Sequence, residues 1–420
     1  MSMKHLKDVD PDVYNAALHE LDRGRSGLEM IASENYVSRA ILQTVGSVFT
    51  NKYSEGYPAK RYYGGNEFVD VVESLAIERA KKLFGVNFVN VQPHSGSQSN
   101  MAVYFALLEP KDPILSMNLD HGGHLSHGHK VNFSGKLYTI HGYKVNEKTH
   151  YIDMEALHKQ AKEVKPKIIL AGFSSYPRDL DFKYFKEIAD ETGAVLMADI
   201  AHIAGLVATK EVSVDPAPYC DVITTTTHKT LRGPRGAMVM SKDQEIATKI
   251  DKAVFPGMQG GPLDHVVAAK AVCFKEASTP EFKTYAQQVK KNAKALAESL
   301  LKNGANVITE GTDNHLVLMD ITPFDMGGKK AENTLDNVHI FTNKNVIPFD
   351  KRTPFDPSGI RLGSPALTTR GLVESDFTAI GEFIVKALQS ADDPSALERV
   401  KQDVLAVCER YPLYTDLQIL

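Results

Sequence analysis

Through about residue 275, two hydrophobic patterns alternate along the chain. Short apolar runs rich in β-branched residues, KIILAGF (167–173), AVLMADI (194–200) and DVITTTT (221–227), read as strands buried on both faces. Helical patterns lie between such runs, one opening near Ser97 in SGSQSNMAVYFALL. This alternation predicts an α/β domain with a mostly parallel sheet layered with helices. Near residue 279 the texture changes. Thr279 is placed as an N-cap with Pro280 at the first helical position, and Phe282, Tyr285, Val289, Ala293, Leu296 and Leu300 then recur every three or four residues until Gly304. The expected division is therefore a large domain with an amino-terminal arm over residues 1–280 and a smaller α+β domain over 281–420. There is no internal repeat or low-complexity segment.

At 420 residues the chain exceeds what one core usually supports, which agrees with two domains. A formal net charge of -4 gives no overall basic footprint and argues against nucleic acid as the main partner. The three cysteines, Cys220, Cys273 and Cys408, are scattered, which speaks against a disulfide framework or a cysteine-built metal site and fits a reducing cytoplasm. The opening MSMKHLKDVDPDVY is polar, and no stretch approaches the length of a membrane span, so neither a signal peptide nor a membrane partner is expected.

The candidate chemistry centres on TTTTHKTLRGPRG (224–236), which places Lys229 just past a strand end, where α/β proteins keep their ligands. Asp199 ends an earlier strand in VLMADIAH. On position alone it is either a turn former or a functional carboxylate. A lysine that forms a Schiff base, paired with an acid that keeps a pyridinium nitrogen protonated, is the arrangement pyridoxal phosphate chemistry uses. VQPHSGSQSN would then supply a phosphate cradle, its Gly/Ser turn running into a helix with unpaired backbone N–H groups. The alternative for that turn is a plain serine N-cap. A P-loop is ruled out, since neither HKT nor DMGGKKAE has the required spacing. DHGGHLSHGHK holds His121, His124, His127 and His129, whose spacing permits a metal, but no cysteine or clustered carboxylate joins them, and stacking of a histidine on an aromatic cofactor is the competing use. The metal reading is the weaker of the two.

LEMIASENY, SEGYPAKRYYGG, VQPHSGSQSN, NLDHGGHLSHG, VNFSGK, TTTTHKTLRGPRG, FPGMQGGPLDH, NKNVIPFD and SGIRLGSPALTTRG, spread over residues 28–370, together resemble the serine hydroxymethyltransferase family. The resemblance implies a fold type I pyridoxal phosphate enzyme, a homodimer with shared active sites or a dimer of dimers. Its reaction moves the hydroxymethyl group of L-serine to tetrahydrofolate through aldimine and quinonoid intermediates, giving glycine and 5,10-methylenetetrahydrofolate. By the same resemblance Lys229 carries the cofactor, Asp199 bonds the ring nitrogen and His124 stacks on the ring. Ser95, Gly96 and Ser97 hold the phosphate with Gly261 of the neighbouring subunit. Ser174 and His202 bond the phenolic oxygen, while Thr226, His228 and Arg235 shape the wall behind the lysine.

Arg361 offers a planar fork for the substrate carboxylate. Glu55 is the implied acid/base group, set among Tyr53, Tyr57, Tyr62 and Tyr63, surroundings able to keep a carboxyl neutral. Ser33, Tyr53 and Tyr63 join it at the substrate, and Leu119, Gly123, Leu125 and Asn345 fall on pteridine positions. The chain departs from the family pattern at His129-Lys130, at Asp356-Pro357 and at Met258, each beside the implied chemistry rather than in it. A folate-independent aldolase would share the lysine, aspartate and phosphate turn. A non-catalytic folate- or RNA-binding relative would not need the set Lys229, Asp199, Glu55 and Arg361.

Overall fold

The computed structural model describes residues 4–415, so the first three residues of the polar amino-terminal stretch lie outside it. The chain divides into two compact units. One comprises Val37–Gln287, and the other joins the residues before Val37 to those after Gln287. The boundary thus falls within the long helix rather than ahead of it, and the amino-terminal segment groups with the carboxy-terminal part instead of the large domain. The reason is a non-local pairing: Leu28–Glu29 runs parallel to Ile340–Phe341, and Leu28 and Met30 are fully buried in the carboxy-terminal core.

Among the described residues of the larger unit, the main sheet has seven strands: β1 (Phe88–Asn90), β2 (Pro113–Met117), β3 (Thr139–Tyr143), β4 (Ile168–Gly172), β5 (Val195–Asp199), β6 (Val222–Thr226) and β7 (Ala237–Ser241). Their spatial order is β1-β7-β6-β5-β4-β2-β3. β6, β5, β4, β2 and β3 are parallel, and β7 runs against both its neighbours. Since β1 and β6 both oppose β7, the carboxyl ends of β1, β2, β4, β5 and β6 open on one rim, and β7 begins there. Every position of β4, β6 and β7 is buried, as uninterrupted apolar runs require when helices cover both faces. The threonines of β6 fit because their hydroxyls are satisfied: Thr224 Oγ1 donates to Asn100 Oδ1 (2.7 Å) and Thr225 Oγ1 to the Thr226 carbonyl (2.8 Å).

The helices that position the site are α1 (Glu67–Phe84), α2 (Gly96–Leu107), α3 (Met154–Val164), α4 (Phe182–Thr192) and α5 (Asp264–Ala277). α3 and α4 are amphipathic and start on aspartate caps, Asp153 accepting from the Ala156 amide (3.0 Å) and Asp181 from the Tyr184 amide (3.1 Å). Each such cap stabilises by about 1 kcal/mol. Helix α6 (Pro280–Lys302) begins as its sequence implies, the Phe282 amide donating to Thr279 Oγ1 (3.3 Å).

The smaller unit has an antiparallel sheet of β8 (Asn306–Val307), β9 (Leu316–Asp320), β10 (Asn343–Asn345) and β11 (Gly359–Gly363), in the order β8-β9-β11-β10. Val317, Met319, Ile360 and Leu362 from the sheet join Leu296, Leu300, Phe377, Ile380 and Ile384 from helices in one core. Among the described residues no helix is long and apolar enough to cross a membrane.

Candidate active site

The rim of the large sheet gathers most of the candidate residues, and Asp199 is the best defined. It is the last residue of β5, paired in register with Thr224 of β6. Its Oδ2 accepts from His127 Nε2 (2.9 Å) and Asn100 Nδ2 (2.9 Å), and its Oδ1 accepts from the Ala201 amide (3.1 Å). The tautomer of His127 follows from its other nitrogen, which accepts the His124 amide (3.2 Å), so Nε2 carries the proton that faces the carboxylate. Burial opposes ionisation of Asp199. The hydrogen bonds from His127 and Asn100 outweigh it, holding the carboxyl well below the usual carboxylate range.

His124 is fixed by Ser126, whose amide donates to His124 Nδ1 (3.2 Å) and whose hydroxyl lies 2.8 Å from the same atom. Ser126 Oγ in turn accepts from Asn100 Nδ2 (2.9 Å). Two of the four histidines are engaged here: His127 serves Asp199 and His124 is tied to Ser126. Among the described residues no group of three or more His, Cys, Asp or Glu is placed to hold an ion.

Helix α2 starts at Gly96 on N-cap Ser95, whose side chain makes no capping bond, so the first turn's amides have no side-chain acceptor there. A methyl group at Gly96 would stand 2.8 Å from Thr226 Cγ2, so glycine lets this turn lie against the end of β6. Beyond β6 the chain makes a tight turn. The Thr227 amide bonds the Gly236 carbonyl (3.0 Å), Thr227 Oγ1 donates to the Pro234 carbonyl (2.6 Å), and Thr230 Oγ1 donates to the His202 carbonyl (2.8 Å). Lys229 and His202 are buried within it. Burial, with the charges of Lys229 and Arg235, pulls His228 down to about 3, so its imidazole is neutral beside the lysine. Arg235 is exposed, with its charge near enough to act on His228 and the flanking Pro234 and Gly236 carbonyls bonded to Thr227.

The family model described as serine hydroxymethyltransferase matches residues 6–384. The chain belongs to this family. It is 55% identical over 407 residues to the serine hydroxymethyltransferase of Prochlorococcus marinus strain NATL2A, covering 97% of this chain and 99% of the relative. To the enzyme of that name from strain MIT 9301 it is 54% identical over 412 residues, covering 98% and 97%. Serine hydroxymethyltransferases are fold type I enzymes dependent on pyridoxal phosphate, with tetrahydrofolate as co-substrate, and this chain is a transferase of that kind. The residues fit the cofactor: a helix start open to a phosphate, a carboxylate held ionised for a ring nitrogen, and a buried lysine past the adjacent strand.

Ser174, beyond β4, is held by its amide on the Gly122 carbonyl (2.7 Å). Gly122 has φ 114°, a conformation that favours glycine. Leu119 and Leu125 are exposed apolar side chains on two short turns bracketing buried Gly123, next to His124. In the smaller unit, Arg361 is buried at the centre of β11, where Nε donates to Asn343 Oδ1 (3.1 Å) and Nη2 lies 3.4 Å from Ser33 Oγ. Burial pulls its guanidinium down to about 10, which leaves it a cation at neutral pH. Asn345, at the end of β10, donates from Nδ2 to the Val346 carbonyl (2.7 Å).

Glu55 differs from expectation. Of the four surrounding tyrosines only Tyr53 bonds it, its hydroxyl donating to Glu55 Oε1 (3.0 Å), with Tyr63 edge-on to Tyr53 at 5.2 Å. Tyr57 is drawn away to the Asp251 carbonyl (2.6 Å), and Tyr62 lies against Phe255 (5.5 Å). Glu55 is half-buried. A methyl at Gly260 would stand 2.9 Å from Glu55 Oε1 and one at Gly261 2.9 Å from Tyr53 Cε2, so both glycines belong to the Glu55 module.

Several functional neighbours escaped the sequence reading. Asn100 lies one helical turn after Gly96, and that spacing alone could have put it on the face turned to the strand ends. Arg61 had no such signal. Its Nη1 donates to the carbonyls on either side of Glu55, Ser54 (2.9 Å) and Gly56 (2.8 Å), while its other nitrogens bond Asp70 and buried Glu73.

Proposed function

We propose that this chain performs its family's transfer of a hydroxymethyl group from L-serine to tetrahydrofolate with Lys229 as the covalent anchor of pyridoxal phosphate, Asp199 at the ring nitrogen and Glu55 as the proton carrier. The observation that carries the reading is the ionised Asp199, fixed by three donors at the end of the strand beside the one that leads to Lys229. When bound, the cofactor supplies an electron sink for bond cleavage at the amino acid. Asp199 keeps a proton on the facing nitrogen, and His124 covers one face of the ring. The α2 amides with Ser95 and Ser97 neutralise the phosphate, with Gly261 from a second copy. Ser174 and His202 hold the phenolic oxygen. Thr226 and neutral His228 wall the buried lysine.

Arg361, steadied by Asn343, takes the serine carboxylate in a forked pair beside Ser33. Glu55, with Tyr53, takes and returns the proton of the side-chain hydroxyl; Tyr63 borders the same substrate. Leu119, Gly123 and Leu125 offer the pteridine an apolar surface, and Asn345 is a polar contact for it. The second copy is supported by an apolar face that one chain leaves open. Phe68, Val71 and Leu75 recur along α1 and are 70%, 54% and 40% exposed, and Val48 and Tyr62 are exposed as well. Buried free thiols at Cys220, Cys273 and Cys408 support a cytoplasmic setting.

Lys229→Ala tests the assignment. The purified variant is expected to bind pyridoxal phosphate through its other anchors yet to lose multiple turnover, because the lysine is needed to release product. Normal steady-state rates of glycine formation would refute it.

A further inference from the structure

Lys270 lies in the middle of α5 and is 1% exposed. Its hydrogen-bond partners are all main-chain carbonyls: Val91 (2.6 Å), Pro93 (3.1 Å) and Ala237 (2.7 Å). Val91 and Pro93 belong to the segment between β1 and the phosphate turn. Ala237 opens β7, where the chain returns from the Lys229 turn. The aliphatic stem runs against that return, since a methyl at Gly236 would stand 2.6 Å from Lys270 Cε. Burial pulls the amine down to about 7, opposed by Glu73 and Cys273. The donor count decides the form present: an ammonium has three protons for three acceptors, whereas a neutral amine has two and would leave one buried carbonyl without a donor.

We propose that Lys270 is a built-in monovalent cation, its ammonium coordinated by three carbonyl dipoles so as to tie the strand entering the phosphate turn to the strand leaving the lysine turn. It thereby sets the spacing between the two ends at which the cofactor is held, the phosphate cradle at Ser95–Ser97 and the amine of Lys229. It is a positioning residue, because all three of its donors are engaged by the main chain. The inference rests on the reading of those two ends as cofactor anchors. A ligand held at both ends is sensitive to their separation, so loosening this link acts on cofactor affinity first.

Lys270→Ala removes three carbons and the ammonium, the atoms of n-propylammonium. The variant should bind pyridoxal phosphate more weakly by on the order of ten-fold or more, measured by equilibrium dialysis of cofactor-free protein. Added n-propylammonium should restore the affinity, while sodium chloride at the same ionic strength should not. Lys270→Met fills most of the stem's volume without a charge; it should bind the cofactor as weakly and gain nothing from the amine. Wild-type affinity in Lys270→Met, or a folded Lys270→Ala variant that n-propylammonium leaves unchanged, would overturn the proposal. So would failure of both variants to accumulate in soluble form, since that marks a determinant of the whole fold rather than a link between two turns. Lys229→Ala run in parallel separates this from failure of the anchor reading: loss of the lysine-bound absorbance band there, with Lys270 intact, verifies the anchor independently.

Discussion

Asp199 and Glu55 are carboxylates of the same compact unit, held in opposite ways. Asp199 has its side chain fixed: three donors converge on it and it is nearly sealed from water. Glu55 has one donor, Tyr53, and its carboxyl is half-buried. What is fixed around Glu55 is the backbone. Arg61 grips the Ser54 and Gly56 carbonyls, Gln92 Nε2 adds a second bond to Gly56 (2.9 Å), and Ser54 Oγ donates to Asp264 Oδ1 (2.6 Å). The contrast suits two tasks. A group that must stay charged is surrounded by donors, whereas a group that must exchange a proton is placed by its main chain and left with few partners of its own.

The largest effect should come from removing the fixed charge. Asp199→Asn keeps the shape and loses the carboxylate, and kcat for serine cleavage should fall on the order of a thousand-fold, as for other preorganised electrostatic groups. A fall of only a few-fold would place the ring nitrogen's partner elsewhere.

Glu55→Gln should cost about a hundred-fold in kcat, the scale of one general acid–base group, with the KM for serine little changed. The same variant asks which copy Glu55 serves. Mixed with Lys229→Ala under conditions that exchange subunits, about half of the dimers are hybrids, and roughly a quarter of all sites regain both residues if the Glu55 module crosses to its neighbour. Activity that stays at the level of the two parents in a demonstrably exchanged sample would confine Glu55 to its own subunit.

A smaller loss tests the backbone frame. Arg61→Lys keeps the charge near Glu73 but gives up the planar group that bonds the two carbonyls from Nη1 while its other nitrogens hold Asp70 and Glu73, and kcat should fall about ten-fold while the cofactor still binds, the scale of supporting contacts around a site. An equal loss of cofactor affinity would show that Arg61 supports the whole rim.

The subtlest effect is on stability. Burial works against the Asp199 carboxylate, but His127 and Asn100 hold its folded-state pKa below that of the unfolded chain, about 3.9. Its contribution is therefore present above that value and lost as pH falls through the folded pKa. The difference in melting temperature between cofactor-free wild type and Asp199→Asn should narrow as the pH drops from about 5 towards 2. A gap independent of pH over that range would mean that the carboxylate is not the stabilising species.

Local sequence determined much of this protein. Buried β-branched runs set the strands at Ile168–Gly172, Val195–Asp199 and Val222–Thr226, and a capped periodic stretch set the helix from Pro280. Lys229 past a strand end and the Ser95–Ser97 turn were legible for the same reason: periodicity and capping depend on neighbours a few residues apart. Partner choice does not. Asp199 is held by residues 72 and 99 positions away, and Lys270 by carbonyls 33, 177 and 179 positions away. The amino-terminal segment joined the carboxy-terminal unit through a two-residue strand too short to carry a pattern. Only the tertiary structure decided that His127 orients a carboxylate, that Tyr57 turns away from Glu55 and that a mid-helix lysine sits among carbonyls. Each outcome depends on which buried polar groups meet once distant segments have packed, and on the cost of leaving any of them unpaired.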